Sequence, residues 1–168
     1  MSNTFKWLPA LLLLGLGACN SGTGSSSGDT TAAKDSAAKD TSMKMTSVQP
    51  LPPIPDSAKV FFKNLKDGET VKSPLKVEFG VSGIGLDTAG PIKMNSGHHH
   101  LLIDAGDSVA MGTVVPKDST HLHFGKAQTG TTITLTPGKH TLALQYADGI
   151  HRSYGSKLSA AITVNVKK

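Results

Sequence analysis

From Lys59 onward, apolar residues recur at every second position and nowhere sustain a helical stripe. Leu75, Val77, Phe79 and Val81 alternate with Lys76, Glu78 and Gly80, while Leu142, Leu144 and Tyr146 share one parity, and so do Ile162, Val164 and Val166. A period of two places alternate side chains on one face, as in a strand that lines a core on one side. Gly, Pro and Asp break these runs about every 10 residues, the turn spacing of a β-sandwich. Strands are expected at 60–62, 75–81, 98–103, 121–124, around Ile133 and Leu135, and at 141–146 and 162–166. Residues 83–97 read as a long loop, and 109–115 as a weak strand or loop. The expected fold is all-β, an immunoglobulin-like β-sandwich of about seven strands.

Only residues 57–168 carry this pattern. Residues 1–18 have Lys6 and then an apolar stretch from Trp7 to Leu16, a signal-peptide arrangement too short to span a membrane as a helix. The run Leu16-Gly17-Ala18-Cys19 resembles a bacterial lipobox, in which Cys19 becomes the lipidated first residue of the mature chain. Cys19 is the single cysteine, so a disulfide framework within the chain is excluded and the thiol needs another role. Asn20 stands where lipoproteins retained at an inner membrane usually carry Asp, so the resemblance implies anchoring at the periplasmic face of an outer membrane. Residues 19–56 then read as the lipidated cysteine and a flexible Ser/Thr/Ala/Pro-rich linker, too polar to offset its chain entropy by burial.

The chain has 17 Lys and Arg against 12 Asp and Glu, a net charge of +5. The lysines are scattered and have no aromatic residues interleaved among them, so the pattern of a nucleic-acid surface is missing. No Gly-x-Ser-x-Gly elbow, phosphate loop or dinucleotide fingerprint occurs, which leaves an enzymatic reading the least supported. A protein or cell-wall partner is compatible with the tether and the mildly basic surface, and the sequence does not identify one.

The chemistry-bearing residues are histidines. His98 and His100 form one His-x-His pair and His121 and His123 a second, so each pair sets two imidazoles on one side of a strand. Leu122 and Phe124 would face the other way, as would Leu101, Ile103 and His99, which reads as a core histidine. If the two strands are neighbours, four imidazoles converge, and imidazole suits copper and zinc. With no thiolate to spare, the candidate cofactor is a copper or zinc ion held by His98, His100, His121 and His123. Asp104, on the parity of His98 and His100, could ligate the ion or orient a ligand, and His151, in a loop after Asp148, could reach the site. The alternative is a polar ladder of hydrogen-bonded histidines inside a non-catalytic binding or assembly module of the cell envelope.

Five segments in order carry a family resemblance. They are Lys66-Asp67-Gly68-Glu69-Thr70-Val71-Lys72-Ser73-Pro74, Gly97 to Asp104 with its three histidines, His121 to Thr129, Pro137 to Leu142, and His151-Arg152-Ser153-Tyr154-Gly155. Together they resemble the bacterial domain-of-unknown-function family 4399 across nearly all of 57–168. That resemblance implies a fold and a secreted or lipoprotein compartment, and no reaction. The stretch from Leu135 to Leu144 also looks like the end of bacterial immunoglobulin-like domains, which implies that His140 anchors a corner near a turn.

Overall fold

The computed structural model describes residues 49–168. The expected signal segment, Cys19 and most of the expected linker lie outside the described residues. Nine strands follow in order: β1 (Lys59–Phe62), β2 (Glu69–Val71), β3 (Leu75–Ser82), β4 (Gly85–Leu86), β5 (Ser96–Ile103), β6 (His121–Phe124), β7 (Gly130–Ile133), β8 (Gly138–Ala147) and β9 (Ser159–Val166). One sheet has the order β1-β3-β7, and the other β2-β9-β8-β5-β4, with β6 on β5 beside β4. The two sheets form a sandwich, as the alternation predicts.

The alternating residues fill the space between the sheets. Val77 and Phe79 of β3, Leu142, Leu144 and Tyr146 of β8 and Val164 of β9 are fully buried in one core. Each such side chain contributes on the order of 1.5–3 kcal/mol relative to exposure. Two strands beyond the expected set are β2 and β4, of three and two residues. Both pair in parallel, β2 with β9 and β4 with the start of β5. Residues 109–115 form no strand and touch the ladder through a single bridge between Val114 and Arg152. Leu51 and Ile54, read from composition as linker, pack against the core.

β5, like the second half of β8, is an exception to one-sided burial. Its six residues from Gly97 to Leu102 are all buried. One face looks into the sandwich, and loop segments cover the other. Gln145 of β8 holds part of that cover: its Nε2 donates to the carbonyls of Gly155 (3.1 Å) and Leu158 (3.2 Å), and its Oε1 accepts from Val109 N (2.8 Å). Side chains on the outer face of β5 are therefore removed from water.

Candidate metal centre

The register of β5 sorts its histidines. His100 lies opposite His123 of β6, Leu102 opposite His121, and His99 opposite Phe124. His98, His100, His121 and His123 therefore share the outer face. His99 points inward, edge-on to Phe79 (ring centroids 5.0 Å) and Tyr146 (5.6 Å). Burial pushes its pKa down to about 4, so it sits in the core as a neutral ring.

On the outer face, His98, His100 and His123 each offer a ring nitrogen within 4.8 Å of the others, so these three histidines could hold a metal ion. His98 Nε2 and His100 Nε2 are 3.2 Å apart. His151, outside that three-histidine group, adjoins it: its Nε2 is 3.1 Å from His123 Nε2, and its centroid is 4.9 Å from that of His98. Two nitrogens bound at ~2.0–2.1 Å to one ion, at square or tetrahedral angles, stand ~2.8–3.4 Å apart. Both Nε2 separations fall in that interval.

Burial favours the neutral form of His98, His100 and His123. Burial lowers His98 to about 4, with His151 and His123 adding to the effect. Burial lowers His100 further, to about 2, reinforced by His98 and His123. His123 is lowered by burial, then by His151 and Lys117. A neutral imidazole keeps the lone pair that a metal needs, so at neutral pH no proton must leave these rings before binding. The Nδ1 atoms of His98 and His100 are buried without a partner among the described residues, so the ring pairs form no complete hydrogen-bond network.

His151 reaches the cluster through a built hairpin. Asp148, fully buried, accepts from Ile150 N (3.1 Å) and Arg152 N (2.8 Å) on Oδ1 and from Arg152 Nε (2.8 Å) on Oδ2. His151 N donates to Asp148 O, and Val115 N to His151 O, both at 2.9 Å. His151 is held at φ 74, a left-handed conformation uncommon outside glycine. Asp148-Gly149 carries turn chemistry in the sequence; what the sequence does not reveal is where the turn aims.

Two glycines make room for the site. A Cβ on Gly125 would lie 2.3 Å from His123 Cε1 and 2.5 Å from its Nε2, so the ring occupies the space a side chain would take. A Cβ on Gly97 would lie 2.1 Å from Ala147 O, inside the β5–β8 ladder. Neither glycine is recognisable from sequence as a site residue. Each adjoins a histidine segment because that segment packs too closely for a side chain.

Two candidates lie elsewhere. His121 is on the expected face but one register step along the strand, where its Nδ1 is 2.9 Å from Asp118 Oδ1 and its ring is outside the three-histidine group. Asp104 follows the last residue of β5 at φ 54, and its carboxylate accepts from His140 Nδ1 (2.7 Å) and Thr141 N (2.8 Å). The parity argument fails for Asp104 because the chain has already turned out of the strand. His140 is the corner anchor, its Nε2 donating to Thr136 O at 2.9 Å.

The cluster has an opening. A cavity of about 500 Å³ is lined by His123, His151, Val114, Val115, Pro116 and Lys117. His98 and His100 have no exposed surface. A two-sheet sandwich with a buried histidine cluster on the outer face of one sheet is the class that fold and site define. The family described as a domain of unknown function (DUF4399) matches residues 77–167, and the chain belongs to that family. All four clustered histidines fall within the match. No curated protein and no solved structure matches the chain.

Proposed function

We propose that the domain binds one copper or zinc ion through His98, His100, His123 and His151, as a lipid-anchored metal-binding or buffering protein of the cell envelope. The observation that carries this reading is the convergence of four imidazoles with Nε2 separations of 3.2 and 3.1 Å. The donor set suits the proposed ions: an all-imidazole shell without thiolate favours Cu(II) or Zn(II), and Cu(II) stands higher in the affinity order. His151 takes the place that the sequence pattern gave to His121. The lipobox at Cys19 supports attachment to a membrane, with the domain carried on the linker.

The test is calorimetric titration of the metal-stripped protein with Cu(II) and Zn(II) at pH 7.5. One ion per chain with a Kd below about 10 μM, a threshold of ~7 kcal/mol, is expected. Weaker binding of both ions leaves the hydrogen-bonded histidine ladder, which the same 3.1–3.2 Å contacts would also fit. Anchoring is tested separately by Cys19→Ser, which should abolish lipidation and release the protein from membranes.

A further inference from the structure

The cavity beside the cluster is larger than a single metal-bound water requires. Liquid water occupies ~30 Å³ per molecule, and small-molecule sites run from ~300 to 1,000 Å³. The cavity measures about 500 Å³. Its walls are of two kinds. Val114, Val115 and Pro116 are apolar, and Lys117 is the one lysine or arginine among the lining residues. His123 and His151 belong both to this lining and to the cluster, while His98 and His100 are sealed behind them. An ion among these rings is thus closed off on the sheet side and approached from the cavity.

The charge balance points to what would enter. Imidazole ligands carry no charge that would compensate a divalent ion, and Lys117, which lines the same cavity as His123 and His151, adds another positive charge. Cu(II) with four nitrogen ligands in a tetragonal arrangement retains a further position, and zinc expands to five-coordinate. The incoming group therefore meets positive charge and hydrocarbon in one cavity.

Building on the metal reading above, we propose that this cavity is a ligand subsite for a small organic monocarboxylate. Its carboxylate is held by the ion and Lys117, and its hydrocarbon part lies against Val114, Val115 and Pro116. The domain then senses or carries a metal–carboxylate pair rather than a bare ion.

The experiment uses full-length protein saturated with Cu(II) and follows the copper electron paramagnetic resonance and visible spectra. The probes are acetate, butyrate and the neutral butyramide. Saturable spectral shifts with both carboxylates are expected, with butyrate about fourfold tighter for each added methylene that becomes buried. Butyramide should produce none, and Lys117→Gln, an exposed substitution, should weaken butyrate about tenfold. An unchanged copper spectrum in excess butyrate overturns the subsite and leaves the metal reading standing. So do equal responses to butyrate and butyramide, or butyrate binding indifferent to Lys117→Gln. A protein that takes up no copper overturns this proposal, and one that takes up neither copper nor zinc overturns the metal reading as well.

Discussion

His151 Nε2 meets His123 Nε2 at 3.1 Å although the two rings come from different kinds of structure: a four-residue edge strand and the tip of a left-handed hairpin. The site is thus closed by a loop residue on a face that the strands only begin. His151→Ala should lower metal affinity by more than the ~10–100-fold typical of outer-shell changes. His121→Ala and Asp104→Ala should change it less than tenfold, since His121 is engaged with Asp118 and Asp104 with His140. Calorimetry on the three variants decides the ligand set. A large loss in His121→Ala with none in His151→Ala would restore the pairing read from the sequence.

Gly125 and Gly97 separate site from scaffold. Gly125→Ala puts a methyl group where the His123 ring now lies, so the ring must move while the strand can stay. A folded protein with metal affinity reduced at least tenfold is expected, read by circular dichroism and titration together. Gly97→Ala instead drives a methyl into Ala147 O of the neighbouring strand, where no side chain can yield. Its destabilisation should reach the exceptional range above ~4 kcal/mol. Native-like metal binding in Gly125→Ala would show that His123 is not a ligand in its present position.

Much of this arrangement was legible in the sequence, and the failures have physical causes. Period-two patterning located seven strands and sorted His98, His100 and His123 from His99, Leu122 and Phe124, because alternation is a local property of the strand. It could not find β2 and β4, which are too short to show a period. Parity fixes a side chain's face but not its position along the strand, so it does not show that His121 stands one register step away from the three-histidine group. Nor does parity survive the end of a strand, where the Asp104 carboxylate turns to His140 and Thr141. His151 depended on how a turn points in three dimensions, and no spacing in the chain encodes that.

The metal-free domain should be most stable near pH 6.5. His98 and His99 are each held near pKa 4, and His100 lower, chiefly by burial, against ~6.5 in an unfolded chain. Above pH 6.5 these groups are neutral in both states and cost nothing. As pH falls from 6.5 toward 4, the unfolded chain takes up protons that the folded domain refuses, so stability drops by up to ~1.4 kcal/mol per pH unit for each group. His140 has the opposite sign: its hydrogen bond to Asp104 raises its pKa, so its contribution is present below 6.5 and is lost as pH rises through the folded value. Urea denaturation of stripped protein from pH 5 to 8.5 should trace a maximum. A flat profile between pH 5 and 6.5 would contradict the neutral burial of the three histidines.

The Asp148–Arg152 pair should govern metal affinity without touching the ion. Both side chains are buried, 0% and 7% exposed, and Nη1 and Nη2 of Arg152 also donate to the carbonyls of Gln49 and Pro50. Removing one member of such a pair strands a buried charge, at a cost of about 3–5 kcal/mol. Arg152→Ala leaves the Asp148 carboxylate without its guanidinium, and the domain should lose stability of that order. Asp148→Asn is the gentler change, since the amide oxygen can still accept from Ile150 N and Arg152 N. The hairpin's two backbone contacts then persist while the contact to Arg152 Nε is lost, because the amide NH2 that replaces Oδ2 cannot accept it. Metal affinity in Asp148→Asn should fall about tenfold, because His151 is held less firmly at φ 74. The Asp148→Asn His151→Ala double variant should bind no more weakly than His151→Ala alone. Additive losses would mean that Asp148 acts on the other histidines, and the positioning role assigned to the hairpin would be wrong.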